Sequence, residues 1–184
     1  NKIKAKYPNL YMTNCASGGM RMELEQSKYY DSFWLSDNQG PYDGIRIVRD
    51  FIKRLPSSKI ERWNVQTAIQ NVPNLYADEK LELMMNCNNA SWEFLIGIDP
   101  SFYLTFLTGG PLGYSCDIAA FPNWYKEKTK EFIKEYKKNR SFYQSAMVKI
   151  LCETENITVL EYYNEGFDRV IIQFFAKCVD QDEL

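Results

Sequence analysis

The chain has 184 residues, 45% of them hydrophobic and 25% charged, with a formal net charge of −2. This length bounds it to one domain, or one domain and part of another, and the near-neutral balance excludes the basic footprint of a nucleic-acid binder. Histidine is absent, which excludes Ser-His-Asp and Cys-His catalysis and every His-based metal site, so that carboxylates remain as the acid/base groups.

Leu10 to Thr13 reads as a short strand that runs into the loop Asn14-Cys15-Ala16-Ser17-Gly18-Gly19. Ser32 to Ser36 reads as a second strand, stopping at Asp37-Asn38 before the Gly40-Pro41 turn. Ile45, Val48, Ile52 and Leu55 then recur at helical spacing, and Pro56-Ser57-Ser58 ends the helix. A third strand is expected from Trp63 to Ile69, followed by helical stretches over 78–86 and 100–107. Gly109-Gly110-Pro111 breaks the chain ahead of an extended segment from Leu112 to Asp117. The clearest helix starts at Asn123, taken as its N-cap, and turns Tyr125, Phe132, Ile133, Tyr136 and Tyr143 to one face. Its lysines alternate with glutamates, which is the pattern of a solvated face. After about Met147 the texture changes: Ile157–Tyr163 and Arg169–Phe175 read as a β-hairpin turning at Asn164-Glu165-Gly166.

Strands alternating with helices imply a parallel sheet with crossover helices. A closed (β/α)8 barrel needs about 250 residues. Four strand signals therefore correspond to half a barrel, over residues 1–146, with the start of an antiparallel β-domain over 147–184. The chain opens on Asn1 rather than Met, which fits a truncated sequence.

The five cysteines, Cys15, Cys87, Cys116, Cys152 and Cys178, include no CxxC pair and are odd in number. No zinc site, other metal or cofactor is expected, and a reducing, cytoplasmic setting fits best. No run of about 18 apolar residues is present to span a membrane.

Two loops carry the chemistry, Asn14 to Glu23 and Phe33 to Asn38. Each follows a strand directly, so in a parallel sheet both emerge at the C-terminal edge, where such folds keep their active sites. Adjacent strands lie about 4.8 Å apart, so one small ligand can touch both loops. Gly18 and Gly19 either admit a ligand close to the backbone or make an ordinary tight turn. Asp37 is either a proton donor or a strand-end cap for the following turn.

Taken together, Asn14-Cys15-Ala16-Ser17-Gly18-Gly19-Met20-Arg21-Met22-Glu23 and Trp34-Leu35-Ser36-Asp37-Asn38-Gln39-Gly40 resemble the paired motifs of the melibiase (α-galactosidase) group, glycoside hydrolase family thirty-six. Those motifs have the forms Asn-Cys-Ser-Ser-Gly-Gly-Gly-Arg-Phe-Asp and Trp-Thr-Ser-Asp-Asn-Thr-Asp. Val72-Pro73-Asn74 and Gly113-Tyr114-x-x-Asp117 extend the likeness. The resemblance implies a retaining glycosidase acting on terminal α-galactosides, with Asp37 as acid/base and Cys15 and Gly18 against the bound sugar. It casts Asn14, Gly19 and Arg21 as supports of the loop, and Trp34 as packing. The family's nucleophile, an Asp in a Lys-Trp-Asp-like segment, has no counterpart in the chain. It is expected upstream of Asn1, so this chain alone is expected to be inactive and either oligomeric or paired with the missing half of its barrel. Met20 and Glu23 depart from the motif's Gly and Asp. They point to the alternatives: a catalytically inactive carbohydrate-binding or scaffold fragment, or α-N-acetylgalactosaminidase specificity.

Overall fold

A computed structural model describes residues 2–16, 18–38, 40–70, 81–85 and 100–177. In chain order the elements are α1 (Lys2–Lys6), β1 (Thr13–Asn14), β2 (Ser32–Phe33), α2 (Pro41–Phe51), β3 (Arg62–Asn64), β4 (Gln66–Gln70) and β5 (Leu81–Met85). Then come α3 (Pro100–Phe106), β6 (Leu112–Tyr114), α4 (Asn123–Ser145), β7 (Met147–Glu153), β8 (Ile157–Tyr163) and β9 (Val170–Ala176).

The first strands are set in register by a carboxylate. The Met12 N–H donates to Asp31 Oδ2 at 2.7 Å, and the Asp31 N–H donates to the Met12 carbonyl at 2.8 Å. The Met12 N–H is thereby spent on a side chain, which is why the ladder begins at Thr13 and not at Leu10 as expected. β1 then pairs in parallel with β2, Thr13 opposite Ser32. β2 meets Ile60 through a parallel bridge at Phe33, and β3 pairs in parallel with β6, Trp63 opposite Gly113. The four segments thus lie side by side in sequence order. Phe33 and Ile60 are buried in one apolar cluster with Ile45 and Val48 of α2, Tyr103 and Leu104 of α3, and Tyr125 of α4. Pro41 suits the first turn of α2, where its missing N–H costs nothing.

Lys4 of α1 donates to Asp31 Oδ2 at 2.6 Å. This hydrogen bond, opposed by burial and aided by that from Met12, holds the Asp31 carboxyl below its ordinary value. A carboxylate depressed in the folded state contributes stability that is present above about pH 4 and lost as the pH falls through the folded-state value. Asp31→Asn is therefore expected to lower the urea midpoint at neutral pH, with the variant and parent midpoints converging as the pH falls through the folded-state value.

Four elements differ from the sequence expectation. The expected strand from Trp63 to Ile69 is broken into β3 and β4, because the Asn64 side chain accepts from the Gln66 N–H at 3.0 Å and turns the backbone. The helix expected over 78–86 is a strand where it is described: Leu81–Met85 pairs antiparallel with β4, Gln70 opposite Leu81. A five-residue stretch, Leu-Glu-Leu-Met-Met, is too short to distinguish the two periods, and pairing with β4 decides. Asn123 is the first residue of α4 rather than its cap; the Pro122 carbonyl receives the Tyr125 and Lys126 N–H groups at 3.0 and 2.9 Å. The expected hairpin gains a strand, β7, giving an antiparallel β7-β8-β9 sheet with a register shift between Ile150 and Cys152. Arg49 of α2 ties this sheet down, donating to the Thr154 carbonyl at 3.3 Å and approaching Glu153 at 3.2 Å. Among the described residues no helix is long and apolar enough to cross a membrane.

Candidate functional site

The loop after β1 is folded back by its own backbone. The Met20 N–H donates to the Ala16 carbonyl at 3.3 Å, and the Ala16 N–H to that of Gly18 at 3.3 Å. Asn14, buried at the end of β1, reaches across the loop and donates through Nδ2 to the Arg21 carbonyl at 2.8 Å. Asn14 thus clasps both ends of the loop. Arg21 takes part through its backbone; its side chain is exposed and makes no hydrogen bond or ion pair among the described residues.

Gly18 has φ +70°, the left-handed region where a side chain is strained. A Cβ there would stand 2.9 Å from Ser36 Cα and 3.4 Å from Asp37 N, and one on Gly19 would stand 2.6 Å from the Leu35 carbonyl oxygen. The glycine loop is therefore seated on the backbone of Leu35-Ser36-Asp37. Cys15 and Met20 stand exposed at its rim, Met20 at 77%. Ser17 and Gln39 lie outside the described residues, as do Val72-Pro73-Asn74, Cys87 and Cys178.

The turn that carries Asp37 is closed by its two neighbours. Ser36 Oγ accepts from the Asn38 N–H at 3.0 Å, and Asn38 Oδ1 accepts from the Gly40 N–H at 3.0 Å. Asn38 Nδ2 also donates to Asp43 Oδ2 of α2 at 2.9 Å. These bonds relieve Asp37 of capping. Its carboxylate is half-buried and accepts at Oδ1 from Trp34 Nε1 at 2.9 Å. Among the described residues the second oxygen has no partner. Trp34 meets Trp63 edge to face, with centroids 5.5 Å apart. Sequence reasoning assigned Trp34 to packing alone. The signal for its bond to Asp37 is the Trp-x-x-Asp spacing across a turn that Ser and Asn close.

The segment after β6 also ends at this edge of the sheet. Asp117 accepts from the Ala119 and Ala120 N–H groups at 3.0 and 3.3 Å, capping a short turn. Burial, then the Asp117 carboxylate, push the Cys116 thiol up to about 11, so Cys116 is not a thiolate nucleophile at neutral pH. Among the described residues no group of three Cys, Asp or Glu side chains gathers to hold a metal. A cleft of about 750 Å³ opens beside Thr13, Glu61, Trp63, Gly113, Tyr136 and Arg140; Asp37, Cys15 and Gly18 do not line it. The glycine loop and the half-buried acid are thus adjacent in backbone, and neither lines that cleft.

Solved structures share this architecture. The galactosidase domain of an α-galactosidase–sucrose kinase, AgaSK, superposes with a TM-score of 0.76 at 19% identity, covering 98% of this chain and 22% of that one. The fold is that of the GH36 α-galactosidases. The α-galactosidase from Lactobacillus brevis matches with a TM-score of 0.75 at 19% identity, over 95% of this chain and 21% of that one. A GH36 α-galactosidase AgaA variant from Geobacillus stearothermophilus, in complex with raffinose, gives 0.77 at 15% identity, over 98% and 22%. The chain thus spans about a fifth of the length of the structures it matches. No protein-family model and no curated protein matches the sequence.

Proposed function

We propose that this chain is the acid/base-bearing half of a (β/α)8 barrel, residues 1–146, joined to the start of a β-domain, residues 147–184, in a retaining glycoside hydrolase for terminal α-galactosides. The observation that carries the reading is the seating of Gly18 and Gly19 on the backbone of Leu35–Asp37, which puts a ligand-admitting loop beside a half-buried carboxyl group. Solved structures of AgaA variants are in complex with raffinose and with stachyose, and an α-galactosyl oligosaccharide is the substrate class taken for this chain.

In this reading a second carboxylate, outside the chain, attacks the anomeric carbon. Asp37 gives its proton to the departing glycosidic oxygen, then removes a proton from the water that cleaves the glycosyl-enzyme. The Trp34 indole orients the group through Oδ1, and among the described residues Oδ2 has no partner and serves that proton. Cys15 and Gly18 stand at the sugar, and Asn14, Gly19 and Arg21 hold the loop. The unpaired edges of β1 and β6 in the described ladder accept the missing strands, or a second copy of the chain.

The test is hydrolysis of an aryl α-galactoside by the protein with its upstream segment and by the 184-residue chain alone, with the anomeric product followed by NMR. Turnover with retention in the longer protein and none in the chain is expected. Inversion, or hydrolysis by the chain alone, overturns the proposal. Galactose binding without any turnover in the longer protein instead supports the second reading, an inactive carbohydrate-binding fragment. Met20 favours that reading, because an exposed side chain stands where the resembling motif has glycine.

A further inference from the structure

The polar face of the parallel strands holds a carboxylate that the proposed mechanism does not use. Glu61 lies just ahead of β3 and is half-buried. Its Oε1 accepts from Thr13 Oγ1 of β1 at 2.7 Å and from Ser32 Oγ of β2. Its Oε2 accepts from Trp63 Nε1 at 2.8 Å. One carboxylate thereby gathers donors from three neighbouring strand segments.

The bond at Oε2 fixes a large ring. Trp63 lies flat over Gly113 of β6, where an added Cβ would stand 2.5 Å from Cε2 and 2.6 Å from Cδ2 of the indole. Pressed from below by the backbone and held at its edge by Glu61, Trp63 has little freedom to turn about its side-chain torsions. Trp34 then meets Trp63 at an interplanar angle of 89°, a geometry in which one ring's edge defines where the other's face lies. The edge of Trp34 in turn carries the N–H that holds Asp37 Oδ1 at 2.9 Å.

We propose that Glu61 is a positioning residue for Asp37, acting through Trp63 and Trp34. The proposal rests on the reading of Asp37 as acid/base for its functional meaning, but not for its test. A charged group is used because a carboxylate accepts three hydrogen bonds at once, and bonds to an ionised acceptor are about twice as strong as neutral ones. It acts at a distance, through the two rings. Its effect is to narrow the range of Trp34 orientations, and with it the range of directions in which Asp37 presents its free oxygen. A misdirected acid loses rate steeply even when its chemistry is intact.

The indole N–H groups of the 184-residue chain report this directly. In nitrogen-15 spectra, Glu61→Leu is expected to move the Trp63 and Trp34 indole signals together and to speed solvent exchange of the Trp34 N–H roughly tenfold, the scale of one lost hydrogen bond. Glu61→Gln keeps an acceptor for Trp63 and is expected to restore both signals. Trp63→Phe removes the donor but keeps an aromatic edge, and serves where Glu61→Leu does not fold; it is expected to shift the Trp34 signal alone. Asp37→Asn, which retains an acceptor oxygen, should move Trp34 and leave Trp63 in place. A Trp34 signal and exchange rate unchanged in folded Glu61→Leu, or a Trp34 exchange rate unchanged in Trp63→Phe where Glu61→Leu does not fold, overturns the inference whatever the enzyme does. Loss of turnover in Asp37→Asn is a separate measurement, and its failure strikes the catalytic reading and not this one.

Discussion

If the proposed function holds, Asp37→Ala in the longer protein is expected to lower kcat/KM about 10²–10⁴-fold for an α-galactoside with a poor leaving group. The loss should shrink for a nitrophenyl leaving group, which departs without a proton, because only the second step then needs the missing base. Azide needs no deprotonation, so it should restore turnover of the nitrophenyl substrate and leave an α-configured galactosyl azide, recognisable by its anomeric coupling. Asp37→Asn separates two roles. The amide oxygen still accepts from Trp34 Nε1, the partner that Asp37 has at 2.9 Å, while the exchangeable carboxyl proton is gone. Equal losses in the Ala and Asn variants assign the effect to proton transfer; a smaller loss in Asn assigns part of it to position. Parental kinetics in both, or an azide product of β configuration, removes Asp37 from the role.

The elements that can be read in the sequence are those where local pattern and tertiary outcome agree. In α2, Ile45 and Val48 are buried as their spacing demands, and Leu55 is buried just beyond the helix. β8 alternates inside and outside along Ile157–Tyr163, as a strand with one buried face must. The glycine loop and Asp37 are legible through their paired motifs, and the backbone contact between them is a consequence of parallel pairing between β1 and β2. What escapes is decided by side chains far apart in sequence. Glu61 has no local signature, yet it is bonded to Thr13, 48 residues away. β7 is not among the strands expected after the change of texture at Met147, although Val148, Ile150 and Cys152 turn inward at alternate positions. The break at Val65 depends on which donor Asn64 Oδ1 receives, and that is a question of geometry rather than composition.

Gly18→Ala and Gly19→Ala are expected to differ in size for a reason that is visible in the loop. Gly18 pays twice on substitution. Its φ of +70° costs an L residue roughly 1–2 kcal/mol, and its Cβ would press on Ser36 Cα at 2.9 Å, where overpacking adds about 1–3 kcal/mol. A loss of about 2–5 kcal/mol follows, read as a lower urea midpoint at unchanged slope. Gly19 has no positive φ, so only the steric part applies, from a Cβ at 2.6 Å from the Leu35 carbonyl oxygen; about 1–3 kcal/mol is expected. In both variants the strain is relieved by lifting the loop away from Leu35–Asp37, the backbone that carries the acid. Affinity for galactose should therefore fall in the folded fraction as well, and further in Gly18→Ala than in Gly19→Ala. Val in place of Gly18 should exceed both, since β-branching is poorly tolerated at positive φ. A Gly18→Ala protein with the parental midpoint shows that the loop has room to lift without cost, and the seating on Asp37 then loses its claim to shape the site.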